Sequence, residues 1–188
     1  MSAPAESGLV VPVPAATAAV APWRERLDPS AVHGVPAHVT VLYPFVPPDE
    51  ISDGVVSTLQ GLFAGVAPFD FVLDRVAWFG DTVVYIAPAP AAPFVALTKL
   101  VQARFPAYPP YEGAFDDVTP HLTVGDRGGV DALRRAEAAV APALPIAARA
   151  SDVWLMTGSA TAGAWRVRAR FPLGGRARSA VSTQPPTY

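Results

Sequence analysis

The sequence predicts an α+β fold of two lobes, with duplicated halves, two antiparallel sheets flanking a central groove, helices on the outside and a pseudo-twofold relating the halves. Three observations predict it. The tetrad His38-Val39-Thr40-Val41 returns as His121-Leu122-Thr123-Val124, 83 residues later. Around each copy the periodicity runs strand, helix, motif strand, helix, strand, strand, with apolar spacing switching between two and about 3.6. Finally, 51% hydrophobic residues over 188 positions suffice for one packed interior shared by two lobes.

In chain order, residues 1–7 are expected to be a flexible leader, and the domain to span 8–173. An apolar strand runs from about Leu9 to Val13. A helix follows from about Ala15 to Leu27, disturbed by Pro22 and stopped by Asp28-Pro29. The first motif strand, Pro36 to Tyr43, is closed by Pro44, Pro47 and Pro48. Asp49-Glu50 then open a helix with Ile51, Val55, Leu59, Leu62 and Phe63 near one face. Strands Phe69–Phe79 and Thr82–Ala87 are joined by a Gly80-Asp81 turn. A helix from Ala92 to Phe105 starts the second round and ends in the proline-rich loop 106–110. Beyond the second motif strand come a helix from Val130 to Val140, one strand from Ala147 to Thr157, and a last strand from Trp165 to Leu173. Residues 174–188 are expected to be a disordered tail.

Composition excludes several classes. Mean hydropathy is +0.30, yet no apolar run reaches about 18 residues, and the uncharged stretch Gly8–Trp23 is broken by three prolines. No basic n-region precedes that stretch, so a cytoplasmic protein without membrane partners is expected; a monomer is expected as well. The absence of cysteine removes disulfides, thiolate nucleophiles and cysteine zinc sites together. Charge is uneven: 5 basic and 13 acidic residues up to Asp126, then 9 and 3. The chain is therefore no general polyanion binder, although its C-terminal part suits phosphate.

The motif strands carry the chemistry. In a strand, residues two apart share a face, about 7 Å from each other. His38 and Thr40 thus look out together, as do His121 and Thr123, while the valines and leucines face inward. Two histidines facing each other across a groove supply an acid and a base near neutral pH. Threonine hydroxyls can donate to an oxyanion. One such strand is more often structural than functional; two in matching contexts reverse that weighting. His33, in the 29–34 turn, is expected to be exposed and inert. A metal held by His38, His121 and Asp116, Asp117 or Asp126 is the rival reading, but the spacing within each motif is not that of a ligand set and would leave the threonines unused.

Two H-x-T-x strands in a duplicated chain of this length resemble the 2H phosphoesterase superfamily. The continuation Leu42-Tyr43-Pro44-Phe45 looks like its bacterial 2'-5' RNA ligase/cyclic phosphodiesterase branch. The resemblance spans about Leu9 to Leu173. It implies a metal-free and cofactor-free activity on 2',3'-cyclic phosphates or 2'-5' linkages, with His38, Thr40, His121 and Thr123 as catalytic residues. The partner would be a nucleotide 2',3'-cyclic phosphate or an RNA end, and ligation would be the same step reversed. A mononucleotide, an RNA end, a 2'-5' oligonucleotide and a cyclic ADP-ribose phosphate all remain open as substrates. The alternative from another class is a nucleotide- or RNA-binding module that uses the groove without turnover.

Further groove candidates are expected on flanking strands. Arg166, Arg168 and Arg170 alternate with Trp165, Val167, Ala169 and Phe171. If the apolar set packs under helices, the arginines share a face toward the groove or solvent and suit phosphate. Tyr43, Tyr85 and Trp154, with Phe45 and Trp78, are candidates for stacking a base, though strand aromatics are more often core.

Overall fold

The computed structural model describes residues 5–113 and 118–174. Its two four-stranded antiparallel sheets are built from β1 (Glu6–Pro12), β2 (His38–Leu42), β3 (Phe69–Phe79), β4 (Val83–Ala89), β5 (Leu122–Gly125), β6 (Ile146–Ala150), β7 (Asp152–Gly158) and β8 (Arg166–Pro172). The first sheet has the order β2-β1-β7-β8 and the second β5-β4-β3-β6. The helices are α1 (Thr17–Leu27), α2 (Pro29–His33), α3 (Asp53–Ala64), α4 (Ala92–Arg104) and α5 (Val130–Val140). The α+β class with two antiparallel sheets is as expected.

The connectivity departs from a side-by-side pair of halves. β1-α1-β2-α3-β3 and β4-α4-β5-α5-β7 are the corresponding runs, and the last strand of each crosses into the other sheet. β3 pairs with β4, and β7 pairs with β1. The helices cross as well: α1 lies on β5, and α4 lies on β2. The repeat boundary is therefore the Gly80-Asp81 hairpin, and the motif strands β2 and β5 are the inner edges of their sheets, in contact with each other.

Local chemistry explains the elements. α1 starts from a 3-10 turn at Pro14–Ala16 and continues through Pro22. The Asp28 side chain accepts from Ser30 N at 2.9 Å and so caps α2, with Pro29 as its first residue. α3 begins at Asp53 rather than at Asp49-Glu50, because Ser52 caps it by accepting from Val55 N. α4 is tied to the motif edge through Thr98, whose buried hydroxyl donates to Val41 O at 2.7 Å. The core lies between sheets and helices, with Leu9, Val11, Val39 and Leu155 from the first sheet and Leu73, Ile86, Leu122 and Val124 from the second wholly buried.

Two boundaries are corrected. β1 begins at Glu6, so the last two residues of the expected leader are strand. Ser7 is buried and its hydroxyl donates to Val46 O at 2.6 Å, which fixes the start of β1. The expected strand 147–157 is two strands. Ala150 still pairs with Phe69 in the second sheet, while Asp152 already pairs with Pro172 in the first, so the chain changes sheet at Ser151. Residues 1–4, 114–117 and 175–188, including Asp116, Asp117 and most of the expected tail, lie outside the described residues.

Candidate active site

β2 and β5 meet at their edges, and a cleft of about 480 Å³ opens over them. His38, Thr40, His121 and Thr123 all line it. Register explains why. Thr40 lies beside Val10 of β1, and Thr123 beside Tyr85 of β4, so each threonine shares a face with the histidine two residues earlier.

Each motif ring is held in the same way. His38 Nδ1 lies 2.7 Å from Pro36 O, and His121 Nδ1 lies 2.7 Å from Thr119 O. A carbonyl only accepts, so Nδ1 carries the hydrogen in both rings and Nε2 is left as the working nitrogen. Burial holds the His38 pKa at about 4, helped by the nearby Arg24 charge; the Pro36 carbonyl and Asp28 oppose this, and His121 adds a smaller lowering. Burial also lowers His121, with the Thr119 carbonyl opposing it. The His121 ring stands edge-on to Phe79 and Tyr85, at centroid distances of 5.1 and 5.4 Å.

The floor near His38 comes from the α1–α2 junction. Arg24 and Asp28 are both buried, 4% exposed each, and pair at 2.9 Å. Arg24 also donates to Ser30 Oγ and Val35 O. A buried cation needs its hydrogen bonds satisfied, and here one carboxylate, one hydroxyl and one carbonyl do so. Asp28 and Ser30 line the cleft, as does His33, which is half-buried rather than exposed as expected. The short helix α2 is what turns it inward.

The other walls are uneven. Tyr43 donates to Glu6 at 2.5 Å; burial, that hydrogen bond and the charges of Glu6 and Glu112 push its hydroxyl pKa up. Trp165 lines the cleft, 6.2 Å from Tyr43 between ring centroids, so the apolar set of its strand does not all pack under helices. It folds over Gly158 so closely that any Cβ there would run into the indole. Tyr111, at φ +50, donates its backbone N–H to Tyr43 O, and its side chain bonds to Thr40. Asp126 lies at the rim; burial and then the Asp28 charge push its carboxyl pKa up.

The remaining candidates fall elsewhere. Tyr85 is buried behind His121 and stacks on Phe79 at 4.3 Å, so it supports the histidine ring. Trp154 is on the cleft side of the first sheet but outside the cleft, bonded to Asp152 and covered by Arg170 at 4.4 Å. Phe45 packs in the core on Phe105, and Trp78 lies under Arg134. The arginines share no face. A bulge opposite Leu155/Met156 leaves Arg168 without a register partner, so Arg170 pairs with Trp154 and Arg166 with Thr157, on opposite sides. The Arg166 guanidinium is occupied by the carbonyls of Gly163 and Trp165. Neither Arg166 nor Arg168 lines the cleft.

Arg24, Asp28, Ser30, His33 and Tyr111 were not among the expected site residues. The visible trace was the i, i+4 spacing of Arg24 and Asp28 on a helix, which reads equally as a surface pair. Among the described residues no group of three or more histidines and carboxylates is placed to hold a metal, and no helix is long and apolar enough to cross a membrane.

No curated protein matches the sequence. Among solved structures, TT0787 of Thermus thermophilus is similar at 18% identity and a TM-score of 0.64, over 92% of this chain and 100% of that one. E. coli LigT complexed with 3'-AMP is similar at 20% identity and a TM-score of 0.55, over 90% and 98%. LigT complexed with ATP gives 23% and 0.53, over 92% and 99%. These likenesses concern the fold. The family model of the 2'-5' RNA ligase superfamily matches residues 11–161, and with both motif strands inside that span the chain belongs to this superfamily, the 2H phosphoesterases.

Proposed function

We propose that the protein is a phosphodiesterase that opens 2',3'-cyclic phosphates by two-histidine acid–base catalysis. One observation carries the reading: both motif histidines give Nδ1–H to a backbone carbonyl, which leaves two Nε2 atoms to one cleft. In-line displacement needs a base on one side of phosphorus and an acid on the other. His38, held neutral with a pKa of about 4, takes the proton of the attacking water. The water oxygen bonds to phosphorus as the bond to one ribose oxygen breaks, and His121 in its protonated form delivers a proton to that oxygen. Thr40 and Thr123 donate to the non-bridging oxygens, where charge grows. The step is balanced without a metal or cofactor.

His38→Ala and His121→Ala should each lower kcat/KM on a nucleoside 2',3'-cyclic phosphate by at least about 100-fold, the lower end for a lost acid or base. Circular dichroism should stay native. Retention of more than about a tenth of the activity by either variant would remove that histidine from the chemistry. Binding of cyclic nucleotide with no turnover by the parent protein would favour the binding-module alternative.

A further inference from the structure

The cleft over the motif strands is short of cations. Among the described residues lining it there is no free lysine or arginine. Arg24 lies beneath the floor and is consumed by Asp28, Ser30 and Val35. Apart from the two motif histidines and His33, the charged groups at the walls are carboxylates: Glu6 at the Tyr43 end and Asp126 at the other, with Asp28 taken up by Arg24. The three arginines of β8, which an extended polyanion would need, lie outside the cleft and are divided between two faces by the bulge. A nucleic acid strand is ordinarily bound by cations along its backbone, and its affinity falls with salt. A phosphate seated over the motif strands would meet histidines and threonines, and a second phosphate carried toward either end would approach Glu6 or Asp126.

The uncharged part of the cleft is equally specific. Val10, Met156 and Trp165 form a small apolar cluster separate from the main core, with Tyr43 packed against it. This wall offers an apolar, aromatic surface to a nucleobase, and the Glu6 carboxylate beside it could accept hydrogen bonds from base amino or imino groups.

Resting on the cyclic-phosphate reading above, we propose that the substrate is a mononucleoside 2',3'-cyclic phosphate whose only charge is the reacting phosphate. Its base lies on the Tyr43–Trp165 wall, and Glu6 and Asp126 select against 5'-phosphorylated nucleotides and RNA ends. The same carboxylates favour departure of the product, because ring opening converts a monoanionic diester into a monoester that can carry a second negative charge.

The test is steady-state kinetics of the full-length protein on three substrates: adenosine 2',3'-cyclic phosphate, its 5'-phosphorylated form, and a pentanucleotide ending in the cyclic phosphate. The unphosphorylated mononucleotide should lead the other two by at least tenfold in kcat/KM. Raising salt should help the pentanucleotide or leave it unchanged, because screening weakens repulsion. Asp126→Asn and Glu6→Gln should each narrow the gap between the mononucleotide and its 5'-phosphorylated form, and the two variants probe opposite ends of the cleft. A pentanucleotide cleaved as well as the mononucleotide, with a rate that falls as salt rises, would overturn the selection while leaving the cyclic-phosphate activity in place. So would variants that leave the gap unchanged. No turnover of any of the three would overturn the activity itself, and this inference with it.

Discussion

His38 and His121 are chemically alike but differently placed, and pH should separate them. In the free protein His38 loses its proton at about 4, and burial keeps His121 below its ordinary value of 6.5. A base must be neutral and an acid protonated, so with His38 as the proposed base and His121 as the proposed acid, kcat/KM should rise through the His38 value and fall through that of His121. The expected profile is a bell with its maximum between about pH 4 and 6.5. A maximum above pH 7 would contradict the assignment of base and acid. The His38 shift also has a stability consequence. Its pKa is lower folded than unfolded, so the unfolded chain binds the proton more readily, and stability falls as pH drops from about 6.5 toward 4. In His38→Gln the melting temperature should depend less on pH across that window. An unchanged dependence would mean that other groups control it. On the proposed mechanism acid, base and oxyanion donors are all side chains, so exhaustive chelation should leave the parent rate unchanged; loss of activity restored by added zinc or manganese would argue for a metal.

At the scale of elements, the α1–α2 junction links the fold to the chemistry. Arg24 and Asp28 are 5% and 4% exposed as side chains, and removing one partner leaves the other as a buried unpaired charge. Arg24→Ala should therefore cost about 3–5 kcal/mol in denaturant unfolding. Asp28→Asn placed in that background should recover part of the loss, because the amide oxygen can still cap Ser30 N. A loss below about 1 kcal/mol for Arg24→Ala would mean that water reaches the pair. The junction also shows what the sequence conveys and what it withholds. α5 and β3 were legible to the residue, because an amphipathic helix and a strand closed by a Gly-Asp turn declare themselves locally. The two motif pairs were legible because their two-residue spacing decides which face they share. The division at Ser151 was not, since no glycine or proline marks it and only pairing partners determine where a strand changes sheet. The β8 bulge escaped for the same reason: Arg168 is displaced by its register with β7, a long-range property. His33 lines the cleft and Arg24 lies beneath its floor because α1 and α2 pack together and α1 lies on β5, the strand of the other repeat.

At the scale of the whole molecule, the exchange of elements makes the two lobes one cooperative unit. The first sheet takes β1 and β2 from the first repeat and β7 and β8 from the second. The second sheet takes β3 from the first repeat and β4, β5 and β6 from the second, while α1 and α4 each cover the motif strand of the opposite repeat. Close approach enforces the α1 crossing. A Cβ at Gly125 would stand 2.7 Å from Leu27, and the backbone N–H groups of Asp126 and Arg127 both donate to Leu27 O. Neither repeat alone can cover its own apolar faces, and neither brings two histidines together. The exposed Gly80-Asp81 hairpin is the one place where the chain can be divided between repeats without cutting an element. Fragments 1–80 and 81–188, prepared separately, should each lack a cooperative thermal transition and any turnover. Mixed in equal amounts, they should regain a single transition and cyclic-phosphate hydrolysis whose rate depends on concentration, since strand exchange becomes a bimolecular step. A cooperative transition in either isolated fragment would show that a repeat folds as an independent lobe, and the edge-to-edge meeting of β2 and β5 would then be a docking of two domains.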